Sequence, residues 1–168
     1  MDTRGIDRME QALESANGQC HRTTVSAFES TLDGLLAPPA VGARLPFDDV
    51  SLEDVEITID PTIDQLEKAT TGVTGATGGI TEYGSLLVPS THGVTEAVSL
   101  FCDRHVAILR LSDLDGIDDT FSSVGRAIEN ERGSVVIETG PSATADMGGL
   151  VYGAHGPQSL ECIVLEDA

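Results

Sequence analysis

The chain has 168 residues, 40% of them hydrophobic, which is enough to bury the core of one globular domain. Acidic residues outnumber basic ones by 28 to nine, and the net charge of −19 argues against nucleic acid and anionic membranes as partners. Two interpretations of the acidity stay open: a binding face for a cationic partner, or solubility in a halophile's salty cytoplasm, where salt screens self-repulsion. The spread of the acids along the chain and the single lysine, Lys68, favour the halophile.

The three cysteines, Cys20, Cys102 and Cys162, lie far apart in the sequence and form no C-x-x-C pair. This spacing is not that of a disulfide framework, a zinc site or an iron–sulfur cluster. No apolar run approaches the roughly 20 residues that cross a bilayer, and the first residues are too polar for a signal peptide. We therefore expect a cytoplasmic protein with no metal site and no cofactor of its own.

Apolar spacing and turn residues predict alternating helices and strands. In chain order they are a helix over 1–16, a strand over 20–25, a helix over 26–36, strands over 40–45 and 55–59, a helix over 60–70, a strand over 85–88 ended by Pro89, a helix over 95–101, a strand over 105–111, a helix over 118–130, and strands over 134–138 and 160–165. Several strands are short and almost wholly apolar. We therefore expect one α/β domain over residues 1–168, with a largely parallel central sheet flanked by helices.

The stretch from Gly72 to Pro89 combines five glycines with one central carboxylate, Glu82. Glycine clustering predicts a shaped loop, because glycine adopts positive φ and lets a backbone approach a ligand closely. In such a loop Glu82 is a candidate catalytic acid, base or nucleophile, with ligand-binding positions at Gly75, Thr81 and Gly84. The alternative is an exposed connection between strands with a solvated glutamate.

A second candidate segment, Thr139–Asp146 (TGPSATAD), leaves the end of a predicted strand directly. Ligands of open α/β sheets bind beyond the carboxyl ends of strands, and Ser142 or Thr144 can cap a following helix whose amides face an anion. The candidate ligand-binding residues here are Gly140, Pro141, Ser142, Thr144 and Asp146. Helix capping alone is the compatible structural interpretation.

Two histidines are candidates for proton transfer, because histidine titrates near neutral pH. His155 lies in a turn, Tyr152–Pro157, and is a candidate ligand-binding residue, while His105 begins a predicted strand. A purely structural role is the alternative for both.

Four segments taken in this order resemble the LUD-domain family, specifically its lactate-utilisation C (LutC-like) members: GVTGATGGITEYGSLLV, LFCDRHVAIL, TGPSATAD and GAHGPQSLECIVL. The resemblance covers Leu66 to Leu165, and residues 1–60 are less diagnostic. It implies a NagB/RpiA/CoA-transferase-like α/β fold. The motif positions of the family fall on Gly75, Glu82, Gly84, His105, Gly140, Pro141, Ser142, Thr144, Asp146, His155, Gly156 and Pro157.

The resemblance also implies a function. LutC-like proteins are associated with oxidation of L-lactate to pyruvate, alongside an iron–sulfur LUD protein and a second cysteine-rich iron–sulfur protein. The leading hypothesis is therefore an accessory subunit of such a system, binding a small carboxylate or a phosphate-bearing ligand. The alternatives are a stand-alone CoA-transferase-like or isomerase-like enzyme that uses Glu82, and a small-ligand sensor without chemistry.

Overall fold

The computed structural model describes residues 4–90, 93–131, 133–145 and 149–167. Its α-helices are α1 (Arg4–Ser15), α2 (Phe28–Asp33), α3 (Ile63–Lys68), α4 (Thr95–Phe101) and α5 (Ile117–Glu131). Its strands are β1 (Gln19–Thr23), β2 (Ala40–Gly42), β3 (Thr58–Ile59), β4 (Thr71–Gly75), β5 (Gly78–Ile80), β6 (Ser85–Ser90), β7 (Arg104–Arg110), β8 (Leu114–Asp115), β9 (Ser134–Glu138), β10 (Ala143–Thr144), β11 (Val151–Tyr152) and β12 (Ser159–Leu165).

The larger sheet has six strands in the order β1-β12-β7-β4-β2-β3, and all of its pairings are parallel. Two of its interior strands, β7 and β12, are almost entirely buried. Parallel sheets of this kind are covered on both faces, which explains the continuous apolar runs in these strands. The predicted α/β fold with a largely parallel central sheet is confirmed.

Alternate residues of the central strands supply two separate hydrophobic cores. On one face, Val106 and Ile108 pack with Phe28 of α2. On the other face, Leu109 packs with Met9 of α1, in the cluster that also contains the rest of the predicted apolar stripe of that helix. Full burial of each large apolar side chain contributes about 1.5–3 kcal/mol relative to exposure, so the two cores hold the helices on the sheet.

A second, four-stranded sheet lies over the α1 face. Its order is β8-β5-β6-β9; β5–β6 and β6–β9 are antiparallel and β5–β8 is parallel. Leu86 of β6 belongs to the same buried cluster as Leu109 and Leu160 of the parallel sheet. Helix α5 packs against β5 and β9. The molecule is thus built in layers, with the two sheets sharing one core.

The prediction of a single shaped loop over the glycine-rich stretch is wrong. Gly72 and Gly75 lie in β4, a buried strand, and Gly78 begins a strand of the second sheet. A Cβ added at Gly72 would lie 2.4 Å from the carbonyl oxygen of Val98 in α4. Glycine is therefore needed there because a helix approaches the strand closely, which is a known use of glycine within strands.

Three smaller predictions also need correction. The segment after Thr139 forms no helix within the described residues; Ala143 and Thr144 pair instead with β11 as a short antiparallel hairpin. The strand expected over 55–59 is reduced to Thr58–Ile59, since the backbone N–H of Val55 closes a turn onto Leu52. Strand β6 continues through Pro89 to Ser90. At these two residues it pairs only with β9, on one of its edges.

None of the helices within the described ranges combines the length and the apolar character needed to cross a membrane.

The contact between Gly84 and α1 generates a stability prediction. Gly84 has φ of +65°, and an added Cβ would lie 2.3 Å from the backbone nitrogen of Leu13. We expect Gly84→Ala to cost about 2–4 kcal/mol of unfolding free energy, through strain at positive φ and overpacking against a backbone. Denaturant unfolding in high salt measures the loss.

Gly125→Ala is the matched control. Gly125 lies within α5, and an added Cβ meets no atom within 4 Å. Alanine there should stabilise the helix by about 0.5–1 kcal/mol. Equal stability of the two variants would contradict the close packing of Gly84 on α1.

Candidate functional site

Glu82 lies in the turn between β5 and β6, where it joins two helices. Its Oε2 accepts hydrogen bonds from the backbone N–H of Ile117, the first residue of α5, and from Thr81 Oγ1, both at 3.2 Å. Its Oε1 accepts from Arg8 Nη1 of α1 at 3.3 Å. A carboxylate at the N-terminus of a helix is favoured by the helix dipole, so Glu82 fixes the start of α5.

These partners keep Glu82 ionised. The hydrogen bond from its own backbone N–H lowers the pKa of Glu82, and Thr81, Arg8 and Ile117 lower it further against the opposing effect of burial. The side chain is 25% exposed. An ionised carboxylate of this kind is suited to accept a proton or attack an electrophile rather than to donate a proton. The catalytic role of Glu82 remains a prediction.

Three of the glycines proposed to bind ligand are required by the packing of the chain itself. Added Cβ atoms would lie 2.3 Å from Pro46 Cδ at Gly75 and 2.3 Å from the Leu13 nitrogen at Gly84. At Gly140, where φ is +73°, the added Cβ would lie 2.1 Å from the carbonyl oxygen of Ala16. Close approach of protein atoms therefore accounts for these glycines, and their contact with a ligand stays a prediction.

The structure separates Glu82 from the Gly140–Ser142 turn. Glu82 pairs with Arg8 of α1, whereas Gly140 packs on Ala16, just beyond the C-terminal end of the same helix. Eight helical residues span roughly 12 Å along the axis. The acid thus contacts α1 near its middle, and the second loop packs just beyond its C-terminal end.

Two segments that the sequence suggested separately do meet. The backbone N–H of Ser142 donates to the carbonyl of Pro157 at 2.8 Å, and that of Gly153 donates to the carbonyl of Ser142 at 2.9 Å. Gly156 packs so closely on Ser142 that an added Cβ would lie 2.9 Å from its Cβ. We call these segments, 139–145 and 152–157, the paired loops.

The paired loops also hold the remaining predicted ligand-binding residues. Pro141 is partly buried, Thr144 is partly buried in β10, and His155 is exposed. Asp146 lies outside the described residues.

The paired loops lie at the amino-terminal edge of the parallel sheet. Gln158, directly after them, donates from its backbone N–H to the carbonyl of Asp103 at 2.7 Å and from Nε2 to Asp103 Oδ1 at 2.9 Å. These residues immediately precede β12 and β7. The expectation that this loop lies at the carboxyl ends of the parallel strands was therefore wrong. The strand that precedes the loop, β9, belongs to the second sheet.

A buried polar network lies beside the start of the paired loops. His105 of β7 is fully buried, and its Nδ1 lies 2.5 Å from Glu138 Oε2. Its Nε2 lies 2.8 Å from Thr74 Oγ1 of β4. Glu138 is the last residue of β9 and directly precedes Thr139, whose hydroxyl contacts Ser85 Oγ at 2.6 Å. We call Thr74, His105 and Glu138 the buried triad; it ties the second sheet to the parallel sheet.

The contacts define how the buried triad shares its protons. With Glu138 ionised, His105 Nδ1–H donates to the carboxylate. A neutral ring then accepts at Nε2 from the Thr74 hydroxyl, and an imidazolium donates to it. The order hydroxyl, imidazole, carboxylate is that of a nucleophile, its base and the group that orients the base. Thr74 is fully buried, so here this order fixes the ring between the sheets.

One oxygen of the buried triad has no hydrogen-bond partner among the described residues: Glu138 Oε1. The Glu138 side chain is only 7% exposed. A buried acceptor left in this state costs about 1–3 kcal/mol, which a donor supplied by a ligand would recover. This oxygen, one residue before Thr139, is a candidate acceptor for a ligand bound at the paired loops.

Two members of the buried triad, Thr74 and Glu138, were missed from the sequence. Glu138 ends the apolar run SVVIE immediately before the TGPS motif, and that position was the available signal. Thr74 was hidden because its segment was interpreted as a loop.

Across residues 4–90, 93–131, 133–145 and 149–167, no three histidine, cysteine or acidic side chains are grouped so as to hold a metal ion.

Comparison with known proteins decides the family. The LUD domain matches residues 48–165. The chain belongs to the LUD-domain family. The match includes the paired loops and the whole buried triad, and it begins upstream of the segment that carried the resemblance in the sequence.

Two relatives extend the comparison. The chain is 25% identical over 191 aligned positions to Lactate utilization protein C of Geobacillus sp. (strain WCH70), covering 94% of this chain and 79% of that protein. It is 31% identical over 110 residues to the Uncharacterized protein YkgG of Escherichia coli (strain K12), covering 62% of this chain. That match spans 48%, about half, of the E. coli protein.

A solved structure supports the fold. A DUF162 family protein from Deinococcus radiodurans superposes with a TM-score of 0.74, covering 97% of each chain at 14% sequence identity. At this identity the likeness concerns the fold.

The lowered pKa of Glu82 generates a prediction about pH. A carboxyl whose folded-state pKa is depressed stabilises the fold above its unfolded pKa, and this stability is lost as pH falls through the folded pKa. We expect Glu82→Gln to be less stable than the wild type at neutral pH, with the two unfolding curves converging in acid. Denaturant unfolding between pH 7 and acid pH measures this.

The control for Glu82 is Glu56→Gln, at an exposed glutamate. Its difference from the wild type should stay small at every pH, because an isolated surface charge contributes little. A Glu82→Gln variant that behaves like this control would contradict the contacts with Arg8 and Ile117.

The buried triad generates a second stability prediction. Thr74→Val keeps the shape but leaves His105 Nε2 unpaired, and we expect a loss of about 1–3 kcal/mol. Glu138→Ala leaves the buried ring without its carboxylate and should cost about 3–5 kcal/mol. The control is Thr77→Val, because the Thr77 hydroxyl makes only a 3.5 Å contact with the carbonyl of Leu87. Thr74 and Thr77 variants of equal stability would show that the network contributes nothing.

Proposed function

We propose that the protein is a lactate-utilisation (LutC-like) protein, acting as an accessory subunit of an iron–sulfur L-lactate-oxidising system in the cytoplasm of a halophile. The observation that carries the proposal is the alignment with Lactate utilization protein C across 94% of the chain. The LUD-domain match over residues 48–165 supports it. The charge of −19 supports a cytoplasm rich in salt.

The small number of cysteines supports the proposal that partner proteins, and not this chain, carry the electrons. Most iron–sulfur clusters are held by four cysteine thiolates, whereas this chain has three cysteines that lie far apart in the sequence. Cys102 and Cys162 are both buried and lie in separate hydrophobic clusters. The proposal therefore assigns the clusters to an iron–sulfur LUD protein and a second cysteine-rich protein that work with this chain.

The paired loops and the buried triad are the proposed ligand site of this subunit. The exposed His155 of the paired loops offers a ring N–H donor to a small carboxylate or a phosphate-bearing ligand. Glu138 Oε1 offers an acceptor for a hydroxyl or N–H donor of that ligand.

A second candidate function rests on Glu82. Its surroundings keep the carboxylate ionised, as the nucleophile of a CoA-transferase-like enzyme requires. On this alternative Glu82→Gln abolishes turnover with CoA thioesters. A small-ligand sensor would instead bind lactate, pyruvate or CoA in calorimetry without turning any of them over.

Growth tests the leading proposal. Cells of the source organism that lack this protein should lose growth on L-lactate and keep growth on pyruvate, because the defect lies before pyruvate. The wild-type gene and Glu82→Gln should restore growth, whereas Glu138→Gln should not. Measurement of protein levels separates loss of function from loss of folding.

A pull-down from lactate-grown cells in high salt is the second arm. Iron–sulfur proteins should be recovered with the tagged chain, and their absorption spectrum identifies the clusters. Undiminished growth of the deletion strain on L-lactate, or recovery of no iron–sulfur protein, would contradict the proposal.

A further inference from the structure

Cys20 and Cys162 face each other across two neighbouring strands. They are register partners in the parallel pairing of β1 with β12. Neighbouring strands lie about 4.7–4.9 Å apart, which falls within the roughly 4.4–6.8 Å between Cα atoms that a disulfide spans. Strand β1 is at the edge of the sheet order and pairs only with β12. An edge strand can yield the small movement that brings two sulfur atoms to bonding distance.

The two thiols are chemically different. Cys162 is fully buried, whereas Cys20 is partly buried beside the α1 cluster. A hydrogen bond from Cys162 lowers the pKa of Cys20, and Arg22 lowers it further, against burial and the nearby charges of Glu10 and Glu14. The same hydrogen bond and full burial raise the pKa of Cys162. Cys20 is therefore the more reactive thiol, because it forms a thiolate more readily than Cys162 and is less buried.

We propose that Cys20 and Cys162 form a dithiol site that is converted into an intrachain disulfide by low-molecular-weight disulfides. The Cys20 thiolate attacks the disulfide RSSR, forms a mixed disulfide and releases RS⁻, which takes up the proton that Cys20 gave up. Cys162 then loses its proton, attacks the Cys20 sulfur and releases the second RS⁻, which takes up that proton. Two cysteine thiols are oxidised, one RSSR is reduced to two RSH, and no other reactant is needed.

The bond would connect the edge strand β1 to the neighbouring interior strand β12. Helix α1 contacts β1 and also contacts Glu82 and Gly84. The disulfide would therefore hold in place the helix on which the turn with Glu82 packs. Closing a loop that spans most of the chain restricts the unfolded state. The inference stands independently of lactate utilisation, because it rests on the cysteine pair alone.

The third cysteine provides an internal control. Cys102 belongs to a different buried cluster, and burial raises the pKa of Cys102 to about 11. It should neither attack a small disulfide nor pair with another cysteine.

The test equilibrates the full-length protein in high salt with mixtures of reduced and oxidised glutathione. After denaturation and alkylation, labelled thiols should fall from three to one, and the intact mass should fall by that of two hydrogen atoms. Cys102→Ser should lose both of its remaining thiols. Cys20→Ser should keep both of its thiols, because Cys102 and Cys162 are buried and their pKa values are raised. The oxidised wild type should melt roughly 5–10 °C above the reduced form.

Three outcomes would overturn the proposal: three labelled thiols under oxidising conditions, a stable glutathione adduct at Cys20 in the wild type, or a disulfide that includes Cys102. All three are measured on the wild-type protein, so the result does not depend on whether Cys162→Ser folds.

Discussion

The hydrogen bond between His105 and Glu138 lies where the two sheets of this protein meet, and the arrangement of the candidate site depends on it. A histidine without solvent exposure and a nearly buried carboxylate are costly to desolvate singly, and they are acceptable together because each satisfies the other. Thr74 Oγ1 forms a hydrogen bond with the second ring nitrogen of His105, Nε2. Since Glu138 directly precedes the TGPS motif, the same contact that joins the sheets also fixes where the paired loops begin.

Helix α1 gives the structure its second constraint. Three residues contact it at different positions along its axis: Glu82 at Arg8, Gly84 at Leu13, and Gly140 beside Ala16, just beyond its end. The glycines at two of these contacts adopt positive φ and admit no side chain. The residues that the sequence groups into one pocket are therefore distributed along one helix.

Much of the architecture follows from local patterns. The apolar stripe of α1, the amphipathic α5 and the buried strands β7 and β12 predicted an α/β fold with a parallel sheet, because each signal comes from periodicity within one segment. Prediction from local patterns failed for the glycine-rich stretch. Glycine marks both loops and places where helices approach strands closely, and only the contact between Gly72 and Val98 distinguishes the two.

The candidate site was less predictable because it depends on pairing between distant segments. Glu138 meets His105 through packing of two sheets, and Cys20 meets Cys162 through the register of β1 on β12. Neither pair has a spacing that the sequence can reveal. The TGPS and GAHGP segments were recognisable singly, but the hydrogen bonds that join Ser142 to Gly153 and Pro157 are visible only in the fold.

The most direct test is nuclear magnetic resonance of the histidine side chains in isotope-labelled protein. We expect the Nδ1 proton of His105 to be held in a hydrogen bond to Glu138 and to exchange slowly with water, because the ring is fully buried. The ring protons of the exposed His155 provide the reference for fast exchange. A His105 ring whose protons exchange as fast as those of His155 would show that no buried contact joins the two sheets at this place.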